Sequence, residues 1–201
     1  MKAVFPVVLM ILFACNDAQQ KSMHEDRKII IPSLTVDAED KLLSLQNGVW
    51  FYRGRKFSGT MQAFYETGRI KSVQSFYEGR EEGWMNSFYE NGARDAHRYY
   101  HNGEKDGVNE GWWVNGNRRF EYHFRNGAYE GSFTEWYING RTAKYIWYHQ
   151  GKEQLGRGWR ENGKSYMSFV VKDGRLYGQI NPNLCYSLKR ERGEFVANVY
   201  K

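Results

Sequence analysis

The sequence predicts an all-β protein, an antiparallel meander of β-hairpins repeated about every 24 residues within one domain. Two glycine ladders carry that prediction. Gly68, Gly92, Gly116, Gly140 and Gly163 recur at intervals of 24, 24, 24 and 23 residues, and Gly79, Gly103, Gly127, Gly151 and Gly174 keep the same spacings. A period of this size means one supersecondary unit copied along the chain. The residue before each glycine identifies the unit. Thr67, Asn91, Asn115, Asn139 and Asn162 precede the first ladder, and Glu78, Asn102, Asn126, Gln150 and Asp173 the second. Asn-Gly and Asp-Gly tolerate the positive φ angles of a two-residue type I′ turn, so each copy is expected to hold two tight reversals joined by strands of ordinary length.

In chain order, segment 34–58 reads as a lead-in hairpin, with Leu42–Gln46 and Val49–Tyr52 flanking Asn47-Gly48. Segment 59–178 carries about five repeats, uninterrupted by proline between Pro32 and Pro182. Segment 179–201 leaves the repeat pattern. Leu184–Leu188 and Phe195–Tyr200 there are expected to be capping strands, with Lys189–Arg192 blunting an open sheet edge.

Two columns are always large and apolar: Phe64, Phe88, Trp112, Trp136 and Trp159, and Phe76, Tyr100, Phe124, Tyr148 and Val171. They are expected to form the buried ridge, each ring contributing on the order of 3–5 kcal/mol. On that reading Trp112 and Trp136 carry more stability than Tyr89 and Tyr137 on the opposite face.

Segments 83–107 (GWMNSFYENGARDAHRYYHNGEKDG) and 107–131 (GVNEGWWVNGNRRFEYHFRNGAYEG) resemble MORN-type repeats. They are most similar to the bacterial variant with the pattern aromatic-Tyr-x-Asn-Gly, strand, aromatic-x-x-Gly-x-x-x-Gly, whose last glycine is matched by Gly59, Gly83, Gly107 and Gly131. The resemblance covers roughly residues 45–180. It implies a binding scaffold, and proteins of this variant are labelled antitoxins of the YwqK family. The fifth copy departs from the pattern, with Gln154 in place of the glycine and Arg160 in place of the tyrosine. Terminal repeats are commonly atypical because they cap the stack.

The N-terminus implies a compartment. Met1-Lys2 is followed by an apolar run too short to span a bilayer, and Leu12-Phe13-Ala14-Cys15 resembles the bacterial lipobox. Residues 1–15 are therefore expected to be a lipoprotein signal peptide, with Cys15 acylated. Residues 16–33 are expected to be a flexible tether, and the domain to sit at the bacterial cell envelope. Lys plus Arg exceed Asp plus Glu by 29 to 23 without a run of like charge. That mild excess suits anionic head groups and lacks the concentrated basic stripe of a nucleic-acid binder. Cys185 is then the one remaining thiol, read as a small buried hydrophobe or, alternatively, a free reactive thiol.

No catalytic signature is present. The glycines are turn residues and form no phosphate-binding motif. His101 and His149 share a column two repeats apart, on the order of 19 Å on a flat sheet, too far for one metal. Glu81-Glu82 reads as solvated turn charge. The expectation is a protein with no enzymatic activity, no cofactor and no metal. The face opposite the ridge is the candidate binding surface: Tyr65, Tyr89, Trp113 and Tyr137 in one column, Tyr99, His123 and Trp147 in a second, and His101, Arg125 and His149 in a third. Tyr, Trp and Arg anchor interfaces. A protein partner is the leading expectation. An envelope polysaccharide or peptidoglycan stacked on the rings is the alternative, beside the antitoxin role that the resemblance implies.

Overall fold

The computed structural model describes residues 29–180. The expected signal segment, most of the expected tether, Cys15, Cys185 and the two expected capping strands lie outside them. The described residues form strands and turns and no helix.

Strand β1 (Thr35–Asp37) comes first. Strands β2 (Leu43–Gln46), β3 (Val49–Tyr52) and β4 (Arg55–Lys56) then make a small antiparallel sheet, with Asn47-Gly48 and Arg53-Gly54 at its turns. The repeats supply β5 (Gly59–Phe64), β6 (Ile70–Tyr77), β7 (Arg80–Phe88) and β8 (Arg94–His101). They continue with β9 (Glu104–Lys105), β10 (Gly107–Trp112), β11 (Arg118–Arg125) and β12 (Ala128–Trp136). The last four are β13 (Thr142–His149), β14 (Lys152–Trp159), β15 (Ser165–Lys172) and β16 (Arg175–Ile180). These and β1 form one 13-stranded sheet that follows chain order except that β8 pairs directly with β10 while the short β9 pairs with β8 off that path, and only β1 pairs in parallel, along β5.

The second glycine ladder turns as expected. Asn102 and Gly103 (φ 51° and 85°) and Asn126 and Gly127 (48° and 75°) have the paired positive φ of a type I′ turn. The first ladder does not. There only the glycine is left-handed, as at Gly92 (φ 86°), within a three-residue loop closed by Gly92 N–H on the Tyr89 carbonyl and Tyr89 N–H on the Ala93 carbonyl. Asparagine serves differently in these loops. The Asn91, Asn115, Asn139 and Asn162 side-chain oxygens each accept from the backbone N–H two residues on, at 2.9–3.1 Å.

After each such loop the returning strand carries a one-residue bulge. The extra residue is Lys71, Asp95, Arg119, Ala143 or Tyr166, between pairs such as Phe88↔Arg94 and Ser87↔Ala96. The pairs Gly111↔Phe120 and Asn109↔Tyr122 share the packed face, and Val108↔His123 and Glu110↔Glu121 the other. Two clusters fill the packed face. Phe133, Ile146, Tyr166, Met167 and Phe169 form one, extended through stacked Tyr122 and Phe133 (ring centres 4.2 Å apart). Val36, Phe57, Met61 and Phe76 form the other and lock the small sheet, through Trp50 and Tyr52, onto the large one.

The second expected ridge column faces inward, with Phe76 and Phe124 buried and Tyr148 and Val171 packed on the first cluster. The first column does not. Phe64 is 40% exposed, and Phe88, Trp112, Trp136 and Trp159 are half-buried on the opposite face, while Tyr137 is 7% exposed. Two adjacent aromatic columns must point to opposite sides, and cross-strand pairing puts the Tyr137 column inward.

Candidate functional site

Geometry divides the ten candidate residues into three sets. Tyr65, Tyr89, Trp113 and Tyr137 turn to the packed side and act structurally. The Tyr65 hydroxyl donates to the Phe88 carbonyl (2.7 Å), that of Tyr89 to Trp112 (2.8 Å) and that of Tyr137 to Trp159 (2.8 Å), and Trp113 Nε1–H donates to the Trp136 carbonyl (3.0 Å). Each ring thereby ties one repeat to the next. Arg119, a bulge residue, pairs with Asp95 at 2.9 Å and donates to the Tyr89 hydroxyl oxygen at 3.3 Å. Burial is the main cause that pushes the Tyr89 phenol above its ordinary pKa. These four residues are withdrawn from the binding surface.

His101, Arg125 and His149 are exposed at strand ends. His101 Nδ1 lies 3.0 Å from Glu82 Oε1, whose other oxygen accepts the Asn102 N–H at 2.8 Å. His149, Glu130 and Gln150 repeat the arrangement at 2.9 and 2.7 Å, and Asp106 accepts from Asn126 at 3.2 Å. Acceptance of the Gln150 N–H, first, and then of the His149 bond holds the Glu130 carboxyl below its ordinary pKa. Glu82 is 7% exposed, so it is a buried turn clamp rather than a solvated charge. Among the described residues no three His, Cys, Asp or Glu side chains are grouped to hold a metal.

Tyr99, His123 and Trp147 do face solvent together on the side away from the packed clusters. Pairing adds two residues to their row, because Trp84 lies opposite Tyr99 and Val108 opposite His123. Trp84 is 46% exposed, Trp147 44% and Val108 37%. Trp84 stacks on His97 with ring centres 3.9 Å apart and meets Tyr99 edge-on at 5.0 Å. His97 is held below its ordinary pKa by burial and then by Arg94, and as a neutral ring its Nδ1–H donates to Asn86 Oδ1 at 2.7 Å. From Trp84 on β7 to Trp147 on β13 is five inter-strand steps, about 24 Å on a flat sheet.

Beside this row two outward rings are already engaged. The Arg94 guanidinium lies over Trp112 at 5.1 Å, and that of Arg118 over Trp136 at 5.9 Å. Arg118 also pairs with Glu110 at 3.2 Å and with Glu121. Trp84 escapes a column reading because its equivalents are Thr60, Val108, Ser132 and Leu155. The available signal was its place opposite Tyr99 across the hairpin.

The chain matches no family model and no curated protein.

Proposed function

We propose that the protein is a non-catalytic protein-binding scaffold of the MORN-like repeat type, held at the bacterial envelope by a lipid on Cys15. Its binding surface is the outward row Trp84, Tyr99, Val108, His123 and Trp147. The observation that carries this reading is the row itself: two tryptophans, Trp84 and Trp147, 46% and 44% exposed and joined by Tyr99, Val108 and His123 on the face away from the packed clusters. Large, rigid rings of this kind concentrate binding energy. A protein edge or extended segment fits better than a glycan. Stacking on sugar needs open ring faces, and Arg94, Arg118 and His97 cover faces of Trp112, Trp136 and Trp84. The lipid anchor is supported by the Leu12–Cys15 motif.

The test is a photo-crosslinker at Val108 in intact cells, followed by titration of the captured protein. Trp84→Ala and Trp147→Ala should each weaken it by about 2 kcal/mol, roughly thirtyfold. Wild-type affinity in the double variant with the fold intact overturns the surface assignment. Ring-dependent binding of peptidoglycan fragments, without a protein partner, overturns the partner class.

A further inference from the structure

The outward row leaves unexplained a cavity of about 600 Å³ at the other end of the domain, lined by Leu34, Tyr52, Arg53, Arg55, Lys56, Phe57 and Ser58. Its size is that of a small-ligand site. It forms because β1 lies parallel to β5, which brings Leu34 against the β3–β4 hairpin, with Thr60 N–H bonded to the Leu34 carbonyl at 2.8 Å. Phe57, 1% exposed, and Tyr52 supply a fixed aromatic wall, their ring centres 6.1 Å apart.

Three of the seven lining residues are cations and none is an anion. The Arg53 guanidinium lies 5.2 Å from the centre of the Tyr52 ring. No ion pair found among the described residues involves Arg53, Arg55 or Lys56. The nearby carboxylate of Asp40 is committed, one oxygen to the Leu42 N–H at 2.8 Å and the other to the Tyr52 hydroxyl at 3.4 Å.

Ser58 is the decisive lining residue. Along the stack, the residue before Gly83, Gly107 and Gly131 accepts the N–H of the following turn, and in these three copies that acceptor is a carboxylate: Glu82, Asp106 and Glu130. At the cavity the same place is held by Ser58, whose Oγ accepts the Glu78 N–H at 2.9 Å. The clamp survives, but its negative charge is gone at the one copy that faces three cations. A hydroxyl that accepts the turn N–H still has its own proton to donate. An anion with several acceptor oxygens satisfies both the cations and that donor, and Arg binds tetrahedral oxyanions with good geometry.

From this we infer that the cavity is a binding site for a phosphoryl group, held by Arg53, Arg55, Lys56 and the Ser58 hydroxyl, with Leu34, Tyr52 and Phe57 against the apolar part of the molecule that carries it. The group comes from a soluble phosphate ester or from an anionic lipid head group, and the test separates the two sources. Inorganic phosphate is titrated into the full chain by calorimetry and amide chemical shifts. In parallel, the full chain is floated with phosphatidylcholine vesicles with and without phosphatidylglycerol. Ser58→Glu restores the carboxylate clamp of the other copies, so the fold is kept while the cavity gains a negative charge. The triple variant Arg53→Asn, Arg55→Gln, Lys56→Gln removes the cations at exposed positions. Saturable phosphate binding that weakens about tenfold or more in both variants supports the site with a soluble source. Vesicle association that needs phosphatidylglycerol and is lost in both variants supports it with a lipid source. Phosphate and vesicle binding that are both absent, or both unchanged in the two folded variants, overturn the inference.

Discussion

Tyr137→Ala against Trp136→Ala tests which of two adjacent aromatic columns holds the stack together. Tyr137 is 7% exposed and its hydroxyl donates to the Trp159 carbonyl at 2.8 Å, whereas Trp136 is half-buried with Arg118 over its ring. Truncating a buried ring costs about 3–5 kcal/mol. Truncating Trp136 forfeits only the part of the ring it hides, about 1–2 kcal/mol. Tyr137→Phe isolates the inter-repeat hydrogen bond, at about 1 kcal/mol. In a domain of this size each kcal/mol moves the melting temperature by about 2–4 °C. Tyr137→Ala should therefore lower it by roughly 10 °C or more, Trp136→Ala by roughly 4 °C and Tyr137→Phe by roughly 3 °C. Circular dichroism melts of the purified variants measure all three. A loss in Trp136→Ala equal to or larger than that in Tyr137→Ala refutes the face assignment, and no loss in Tyr137→Phe refutes the role of the hydroxyl.

Three further outcomes follow from the same geometry. Asn109 is 1% exposed and neither atom of its carboxamide has a partner, in a column occupied elsewhere by Met61, Met85 and Phe133. Asn109→Leu should thus stabilise by about 1–3 kcal/mol in urea unfolding, and a loss of stability contradicts the orphan assignment. Burial first, and the Glu135 carboxylate second, raise the Tyr122 phenol well above its ordinary pKa of 10.0. The unfolded chain then releases that proton near pH 10 while the fold retains it, so stability is full below about pH 10 and declines above it. The decline should be shallower in Tyr122→Phe, and identical alkaline profiles sink this attribution. Cys15→Ser should leave an uncleaved precursor without covalent lipid, and unchanged maturation and detergent partitioning contradict the envelope anchor.

Periodicity was legible because each turn repeats a chemical requirement. Glycine must supply left-handed backbone at Gly92 and Gly103 alike, so the two ladders display the reversals of the repeats, and Asn47-Gly48 displays the lead-in hairpin. The turn types were half legible. Asn-Gly suits two positive φ angles, but Asn91 instead uses its side chain to accept the Ala93 N–H, which the dipeptide does not distinguish. Which aromatic column faces inward was not legible. Phe88 and Tyr89 are both large, and the bulges that decide the register carry chemically unlike residues, Lys71, Asp95, Arg119, Ala143 and Tyr166. The tyrosine hydroxyls, recurring next to a tight loop, were the signal that the second column had carbonyls to reach. Of the candidate surface, Tyr99, His123 and Trp147 were found as a column, while Trp84 emerges only from cross-strand pairing. The basic cavity depends on Leu34 meeting residues 52–58 through a parallel pairing that no local pattern announces.

The binding claim is tested most directly by oxidative footprinting of tryptophan in intact cells against the purified chain, read by mass spectrometry. Trp84 and Trp147 are nearly equally exposed, at 46% and 44%, so both should oxidise readily when purified. If the outward row is covered by a partner, both should be protected in cells, while the Trp112 signal changes little. Equal oxidation of Trp84 and Trp147 in cells and in isolation contradicts the account.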